Sequence, residues 1–176
     1  LDLTNTRYLV MDKVFDLVHE GVFFDTGLPV VLTDGESTTY ANPRAFVSTS
    51  VQVIYACFDE NSGATCRAPT MDGLASTNTP VDLNGLLLAR YNFEAAPFSP
   101  EELDIAGENV VIHAVSLVDD RTGNFIQLTP DGWNRVYSAD IKIYENLDVM
   151  PRAFIVHDAQ IFRDDWAGTE AALSAM

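Results

Sequence analysis

The sequence predicts a mainly β fold, an antiparallel β-sandwich or jelly roll with one short helix at its end. Three observations predict this fold class. Several stretches alternate apolar with polar residues, Gly, Pro and Asp separate these stretches at short intervals, and the sequence has no long run with helical periodicity. A chain of 176 residues is most simply one domain. We therefore expect a single domain over 1–176, with a lead-in segment at 1–20, a sandwich body at 22–144, and a signature segment and tail helix at 145–176.

The first half of the chain contains three expected strands and one long loop. The longest β-like stretch lies at 45–58, where apolar side chains recur at every second position, as in a strand with one face on the core. Shorter strands are expected at 22–24 and 30–32. Residues 59–81 are rich in Asn, Ser, Gly, Thr and Pro and have no periodicity. Loops of this length in a compact domain usually serve a function or move.

The second half continues the strand pattern. A helical turn is expected at 99–103, because Pro100 suits the first position of a helix. The residues at 169–176 are good helix formers behind a Thr cap, which predicts the terminal helix. In chain order, the expected strands cover 86–93, 110–118, 124–129, 133–137 and 139–144.

The charge of the chain restricts the partners that it can bind. The net charge is −16 and the isoelectric point is about 4.2. Nucleic acids and anionic membrane surfaces are bound through clustered Lys and Arg, so both are excluded as partners. An acidic surface instead concentrates cations, including Ca²⁺.

The ends of the sequence suggest a piece of a longer protein. Leu1 is not a translation start, and the chain ends inside the expected helix. No run approaches the ~20 apolar residues that a transmembrane helix needs, and no signal peptide is visible.

Cys57 and Cys66 flank a polar turn at the start of the long loop. A disulfide between them would close this turn and would favour an oxidising compartment. The alternative is two unpaired thiols in a reducing compartment.

The segment around residue 150 is the most recognisable part of the chain. Tyr144-Glu145-Asn146, a short spacer and Met150-Pro151-Arg152-Ala153-Phe154 resemble the YEN…LPRAF signature of YfhO-type bacterial membrane proteins, with Met150 where that family usually has Leu. Asn5-Thr6-Arg7-Tyr8-Leu9 is similar to the N-x-R-Y-L/I run that precedes the soluble domain of these proteins, and 116–123 is also similar to them.

The resemblance implies an extracytoplasmic module, at the cell surface or in the periplasm, tethered to the membrane in the full-length protein. It carries over no catalytic residues, because the glycosyltransferase-related chemistry of the family belongs to its membrane portion. The predicted sandwich is also similar in architecture to galactose-binding-like modules, which implies a glycan or polysaccharide as a ligand.

The signature segment also has a structural interpretation. Ile141 and Ile143 are expected on one face of a strand, and Lys142 and Tyr144 on the other. Arg152 is placed to pair with a carboxylate of the acidic body. This pattern is compatible with a structural role, in which the segment fastens itself to the body of the domain, and with a segment that contacts a ligand.

Carbohydrate binding by a sandwich needs aromatic faces with polar neighbours. A Trp in a β protein is more often part of the core, so the same residues have a structural alternative. The candidate ligand-binding residues are Trp133, Asn134, Arg135, Tyr91, Asn92 and Trp166.

No cofactor is expected, apart from a structural Ca²⁺ as an alternative. Calcium prefers clustered oxygens from Asp, Glu, Asn and backbone carbonyls. The two best places are the loop after the strand at 45–58 and the turn of the expected hairpin, although neither has EF-hand spacing. Their candidate ligands are Asp59, Glu60 and Asn61, and Asp119 and Asp120.

Catalytic signatures are weak, so we do not expect an enzyme. His113 lies within an expected strand and His157 follows an apolar run, which fits hydrogen-bonded structural histidines better than acid–base catalysts. Neighbouring carboxylates occur at four places, and with so many acids one pair meets the spacing of a glycoside hydrolase by chance.

Three function hypotheses follow from the sequence. The first is a non-catalytic module that binds carbohydrate, the second is a structural domain that packs on its own transmembrane portion, and the third is an enzyme that acts on glycosides.

Overall fold

The structure is a computed structural model, and it describes most residues between 6 and 149. The described ranges are 6–13, 16–33, 35–58, 67–72, 74, 76–77 and 79–149. Residues 6–149 form one compact unit. The expected tail helix and the part of the signature from Met150 onward lie outside the described residues, so the single domain over 1–176 stays a prediction.

The described residues contain strands and no helix. Within them, no helix is therefore long and apolar enough to cross a bilayer. The strands are β1 (Tyr8–Asp12), β2 (Leu17–His19), β3 (Val22–Phe24), β4 (Val30–Leu32), β5 (Glu36–Ala41), β6 (Ser50–Cys57), β7 (Thr70–Met71), β8 (Val81–Asp82), β9 (Leu87–Asn92), β10 (Glu102–Gly107), β11 (Val110–Asp119), β12 (Asn124–Leu128), β13 (Trp133–Ser138) and β14 (Ile141–Asn146).

The largest sheet has six antiparallel strands in the order β12-β11-β6-β9-β8, and β4 joins it through β11. β4 and β12 pair with different parts of β11: β4 with Val110–Ile112 and β12 with Val115–Asp119. The other edge of β11 pairs with β6.

A second sheet, β5-β10-β7, packs on one face of the six-stranded sheet and closes the main core. The core side chains alternate along each strand, as the sequence predicts for strands with one buried face. Ile105 of β10, Val53 of β6 and Leu117 of β11 have no exposed surface. The antiparallel β-sandwich is confirmed.

The opposite face of the six-stranded sheet is covered by the β2–β3 hairpin. Val22 and Phe24 of β3 pack against Ile54, Ala114 and Val118. The central strands are therefore buried on both faces, which explains why Ser50–Tyr55 is buried without interruption.

A β-bulge at His113 interrupts β11. Ile112 pairs with Tyr55 and Ala114 with Ile54, so His113 has no partner on β6. The bulge changes the alternation of the strand: Ile112 on one side of it and Val115 on the other face the same core. His113 also lies between the β4 and β12 pairings.

The third sheet, β1-β14-β13, has an unusual distribution of polarity. Lys142 and Tyr144 of β14 are buried, whereas Ile141 is 41% exposed and Ile143 is partly exposed. The alternation predicted for this strand is confirmed, but its polar side chains face inward.

The expected helical turn at 99–103 is wrong. Glu102 begins strand β10, whose Leu103 and Ile105 alternate into the core. This strand pairs with β5 along its whole length. Cross-strand pairing and burial therefore outweigh the local preference that Pro100 suggested.

Candidate functional site

The inward-facing side chains of β13 and β14 meet a buried carboxylate directly after β3. Asp25 is 5% exposed, and its two oxygens accept bonds from three side chains and one amide. Oδ1 accepts from Lys142 Nζ at 2.7 Å, from the Tyr144 hydroxyl at 2.5 Å and from the Gly27 amide at 3.0 Å. Oδ2 accepts from Arg135 Nη1 at 3.0 Å.

Lys142 also joins a second carboxylate. Its Nζ lies 2.5 Å from Oδ1 of Asp16, whose side chain is 4% exposed. The two carboxylates and the two cations, Lys142 and Arg135, balance in formal charge. We refer to Asp16, Asp25, Arg135, Lys142 and Tyr144 as the ion cluster. Buried charges require this kind of pairing, because each loses its hydration.

The backbone of Asp25 is held as firmly as its side chain. The Asp25 amide donates to Oε1 of Gln127 at 2.5 Å, and Nε2 of Gln127 donates to the Asp25 carbonyl at 2.6 Å. This amide pair ties the turn after β3 to strand β12.

The contacts in the cluster shift the pKa values of Asp25, Lys142 and Tyr144 in consistent directions. Burial acts to raise the pKa of Asp25, but hydrogen bonds from Lys142, Tyr144, Arg135 and the Gly27 amide outweigh it, and the pKa lies below its ordinary value. Burial acts to lower the pKa of Lys142, but its bonds to Asp16 and Asp25 raise it. Burial and the Asp25 charge raise the pKa of Tyr144. These shifts keep the carboxylate and the ammonium charged and the phenol neutral at pH 7.

Gly27 leaves room for the cluster. A Cβ at this position would lie 2.6 Å from the Tyr144 hydroxyl, 3.1 Å from Oδ1 of Asp25 and 3.2 Å from Nζ of Lys142. Any other residue here would push these three groups apart.

A groove of about 550 Å³ lies beside the cluster. Its size falls within the range of ~300–1,000 Å³ that is usual for small-molecule sites. Five aliphatic or prolyl side chains form most of its wall, with a few polar groups among them, which is also typical of such sites. The lining residues are Met11, Asp16, Leu17, Thr26, Gly27, Pro29, Leu83, Asn84, Leu86 and His113.

His113 borders both the groove and a smaller cavity. The small cavity, of about 10 Å³, also borders Asp25, Gln127 and Tyr144. It has roughly the volume and polarity that one water molecule needs. Burial lowers the pKa of His113, so the imidazole is neutral at pH 7 and carries one donor and one acceptor.

The predicted ligand-binding residues on β13 lie close together but have different roles. Arg135 belongs to the ion cluster, Asn134 is exposed, and Trp133 is partly exposed. Asn134 and Arg135 line a shallow depression of about 90 Å³ with Arg44, Gln127 and Thr129, among others. A ligand contact at this depression stays a prediction.

The other predicted ligand-binding residues lie elsewhere. Tyr91 is 1% exposed and its hydroxyl donates to the Pro69 carbonyl, so its ring packs in the main core and presents no face to a ligand. Asn92 is exposed at the end of β9 and accepts a hydrogen bond from Arg90. Trp166 lies outside the described residues.

The expected calcium ligands are only partly described. Asp119 accepts bonds from Arg121 and Thr122, which lower its pKa to about 2. Asp120 accepts from Thr49, Ser50 and Arg90. Asp59, Glu60 and Asn61 lie outside the described residues, and among those that the structure describes no three His, Cys, Asp or Glu side chains form a metal-binding group. The calcium site stays a prediction.

Cys57 ends strand β6 and is disulfide-bonded. Cys66 lies outside the described residues, so the pairing of these two cysteines stays a prediction.

Sequence reasoning missed the ion cluster and the groove. Asp16, Asp25 and Lys142 are far apart in the chain and belong to no spacing motif. The available signal was Lys142 itself, one of two lysines in the chain, between two isoleucines of a predicted strand. Because successive side chains of a strand point to opposite faces, burial of one face leaves only two choices. Either the isoleucines are buried and the lysine is exposed, or the lysine is buried and needs charge partners.

Comparisons with known proteins give no relative for this chain. No family model matches it, and neither a curated protein nor a solved structure is detectably similar to it.

Proposed function

We propose that this chain is a non-catalytic β-sandwich module that binds carbohydrate, and that it is the extracytoplasmic domain of a YfhO-like bacterial membrane protein. The resemblance at Tyr144-Glu145-Asn146 and Met150–Phe154 motivates the family and the location. The single observation that supports ligand binding is the groove beside the ion cluster.

A non-catalytic role is supported by the way the ion cluster is bonded. Both oxygens of Asp25 accept from groups of the chain itself, and Lys142 is held by two carboxylates. A general acid or base must exchange protons with a substrate, whereas these groups are held in fixed charge states. The cluster is suited to fixing the position of the groove wall.

A sugar suits the chemistry of the groove. Sugars combine hydroxyl groups with C–H faces. Asn84 and His113 provide donors and acceptors, and Leu83, Leu86 and Pro29 provide apolar contact.

The test is calorimetric titration of the 176-residue chain with a panel of mono- and oligosaccharides, with Ca²⁺ and with EDTA. Leu86→Trp fills the groove and should weaken binding at least about ten-fold. Val81→Trp, on the exposed surface of β8 and outside the groove lining, is the matched control and should bind as the parent does. A panel in which no sugar binds, or equal binding by Leu86→Trp, contradicts the proposal. Turnover of a glycoside would favour an enzyme instead.

A second candidate function, a structural domain that packs on its own transmembrane portion, is favoured by the outer face of the sheet β1-β14-β13. Val10, Ile143 and Tyr137 are directly paired across the three strands, and Val10 and Tyr137 are 58% and 49% exposed. Exposed apolar rows of this kind mark interaction surfaces.

In the full-length protein in membranes, Val10→Glu should then increase proteolysis of the domain, and Val31→Glu on β4 should not. Unchanged proteolysis of the Val10 variant would contradict this function.

A further inference from the structure

Among the residues that the structure describes, one oxygen of the ion cluster has no hydrogen-bond partner. Oδ1 of Asp16 accepts from Lys142, whereas Oδ2 is buried without a partner among those residues, and Asp16 lines the groove. A buried acceptor without a hydrogen bond raises the free energy of the ligand-free protein. A ligand that donates a hydrogen bond to this oxygen would remove that free-energy cost.

The charge of the cluster determines which donor fits. Two carboxylates already face two cations. A cationic ligand would leave an excess positive charge at the buried site, and an anionic ligand would face the unpaired oxygen. A neutral hydroxyl provides the missing donor without disturbing the balance.

The leucine side chains in the groove wall determine which chemical group the ligand can place against them. Three leucines, Leu17, Leu83 and Leu86, line the groove. They also pack against the smaller core cluster, which is formed by Val22, Phe24, Ile54, Leu88, Ala114 and Val118. Leucine side chains give no hydrogen bonds, so a hydroxyl pressed against them would lose its hydration without compensation. A methyl group at the same place gains from burial.

We infer that the groove selects a neutral sugar bearing a methyl group, a 6-deoxyhexose or an N-acetylhexosamine, with one hydroxyl donating to a slightly rotated Asp16 carboxylate. This inference rests on the proposed carbohydrate-binding function and specifies the class of sugar. The neutral imidazole of His113 can accept from or donate to a second hydroxyl of the same ring.

The experiment compares matched sugars by calorimetry with the 176-residue chain. L-Fucose and L-galactose differ only at C6, where fucose has a methyl group and galactose a hydroxymethyl group, and N-acetylglucosamine differs from N-formylglucosamine only in its methyl group. Burial of one methyl group predicts a preference of about four-fold or more for the methyl-bearing sugar of at least one set.

Two variants with matched controls locate the contacts. Asp16→Asn replaces the unpaired acceptor Oδ2 with an NH2 group, which can only donate, and should weaken binding of the preferred sugar about ten-fold. Asp12→Asn, which makes the same charge change on the exposed side of β1, should not. Leu83→Ala should abolish the preference for the methyl group, whereas Val81→Ala should retain it. Thermal unfolding of each variant establishes that it is folded, and Leu83→Ala keeps the test decisive if Asp16→Asn does not fold.

The outcomes separate this inference from the proposed function. Binding with the expected preference and the expected losses supports both. Binding of sugars without a preference for the methyl group, or without loss in the Asp16 and Leu83 variants, overturns the inference and leaves carbohydrate binding in place. A panel in which no sugar binds overturns both.

Discussion

Nζ of Lys142 lies 2.7 Å from Oδ1 of Asp25, and both side chains are almost completely buried, at 1% and 3% exposure. This ion pair connects β14 to the turn after β3. Through Asp16 the same lysine also holds the segment before β2. One ammonium group therefore fixes two sides of the groove.

Replacing this lysine should be strongly destabilising. Lys142→Met keeps an unbranched apolar side chain but leaves Asp16 and Asp25 without their ammonium partner. Removing one member of a buried ion pair costs about 3–5 kcal/mol, and urea denaturation would measure this loss in the free energy of unfolding. Arg7→Met is the control, because its pair with Glu145 on the same sheet is exposed and should contribute little. Equal effects of the two substitutions would contradict a structural role for the cluster.

The pKa of Asp25 predicts how stability depends on pH. Because its pKa in the folded protein lies below the ordinary value, Asp25 stabilises the fold above pH ~4, and this contribution is lost as the pH falls through the folded pKa. Asp25→Asn lacks this contribution. The free energies of unfolding of parent and variant should therefore differ most near pH 6 and converge toward pH 2. A constant difference across this range would be the contrary result.

Lys142 predicts the opposite dependence at high pH. Its folded pKa is raised, so its contribution is fully present below the ordinary pKa of ~10.4 and is lost as the pH rises through the folded value. The parent chain should lose stability above pH 11 more steeply than Lys142→Met. Parallel curves in alkaline denaturation experiments would argue that the lysine is not charged in the fold.

Gly27 and Tyr144 should be coupled energetically. Gly27→Ala introduces a Cβ that would lie 2.6 Å from the Tyr144 hydroxyl, and overpacking of this kind costs about 1–3 kcal/mol. Tyr144→Phe removes the oxygen with which the Cβ collides. In a double-mutant cycle the two losses in unfolding free energy should therefore be less than additive, by about 1 kcal/mol or more. Strict additivity would place Gly27 away from the cluster.

The bulge at His113 can be tested by deletion. Removal of this residue would leave Ile112 and Val115 facing the main core and Ala114 and Val118 facing the smaller one, as they do now. We expect a folded chain with the circular dichroism spectrum of a β protein and with weaker sugar binding. An unfolded product would mean that the bulge itself is needed for the fold.

The sequence alone was sufficient to predict the strands that bury an apolar face. Strand β6 was predicted because its apolar residues recur at every second position, and the hairpin of β11 and β12 was predicted because the polar turn at 119–123 separates two apolar runs. Strand β10 was not, because Pro100 and the glutamates before Leu103 also suit the start of a helix, and only pairing with β5 decides between the two.

The candidate site was less predictable, because it depends on which face of a strand is covered. The alternation of Ile141, Lys142, Ile143 and Tyr144 was recognised, but local sequence favours burying the isoleucines. Asp16 and Asp25 reverse this preference by providing charge partners, and their positions are set by the β2–β3 hairpin and not by any spacing to Lys142.

The most direct test of the central claim is an NMR titration of the methyl-labelled 176-residue chain with the methyl-bearing sugar that binds best. We predict saturable chemical-shift changes at Leu17, Leu83 and Leu86, with little change at Val10 and Val136 on the outer sheet. Changes centred on the surface around Asn134, or no saturable change at any methyl group, would contradict a ligand site in the groove.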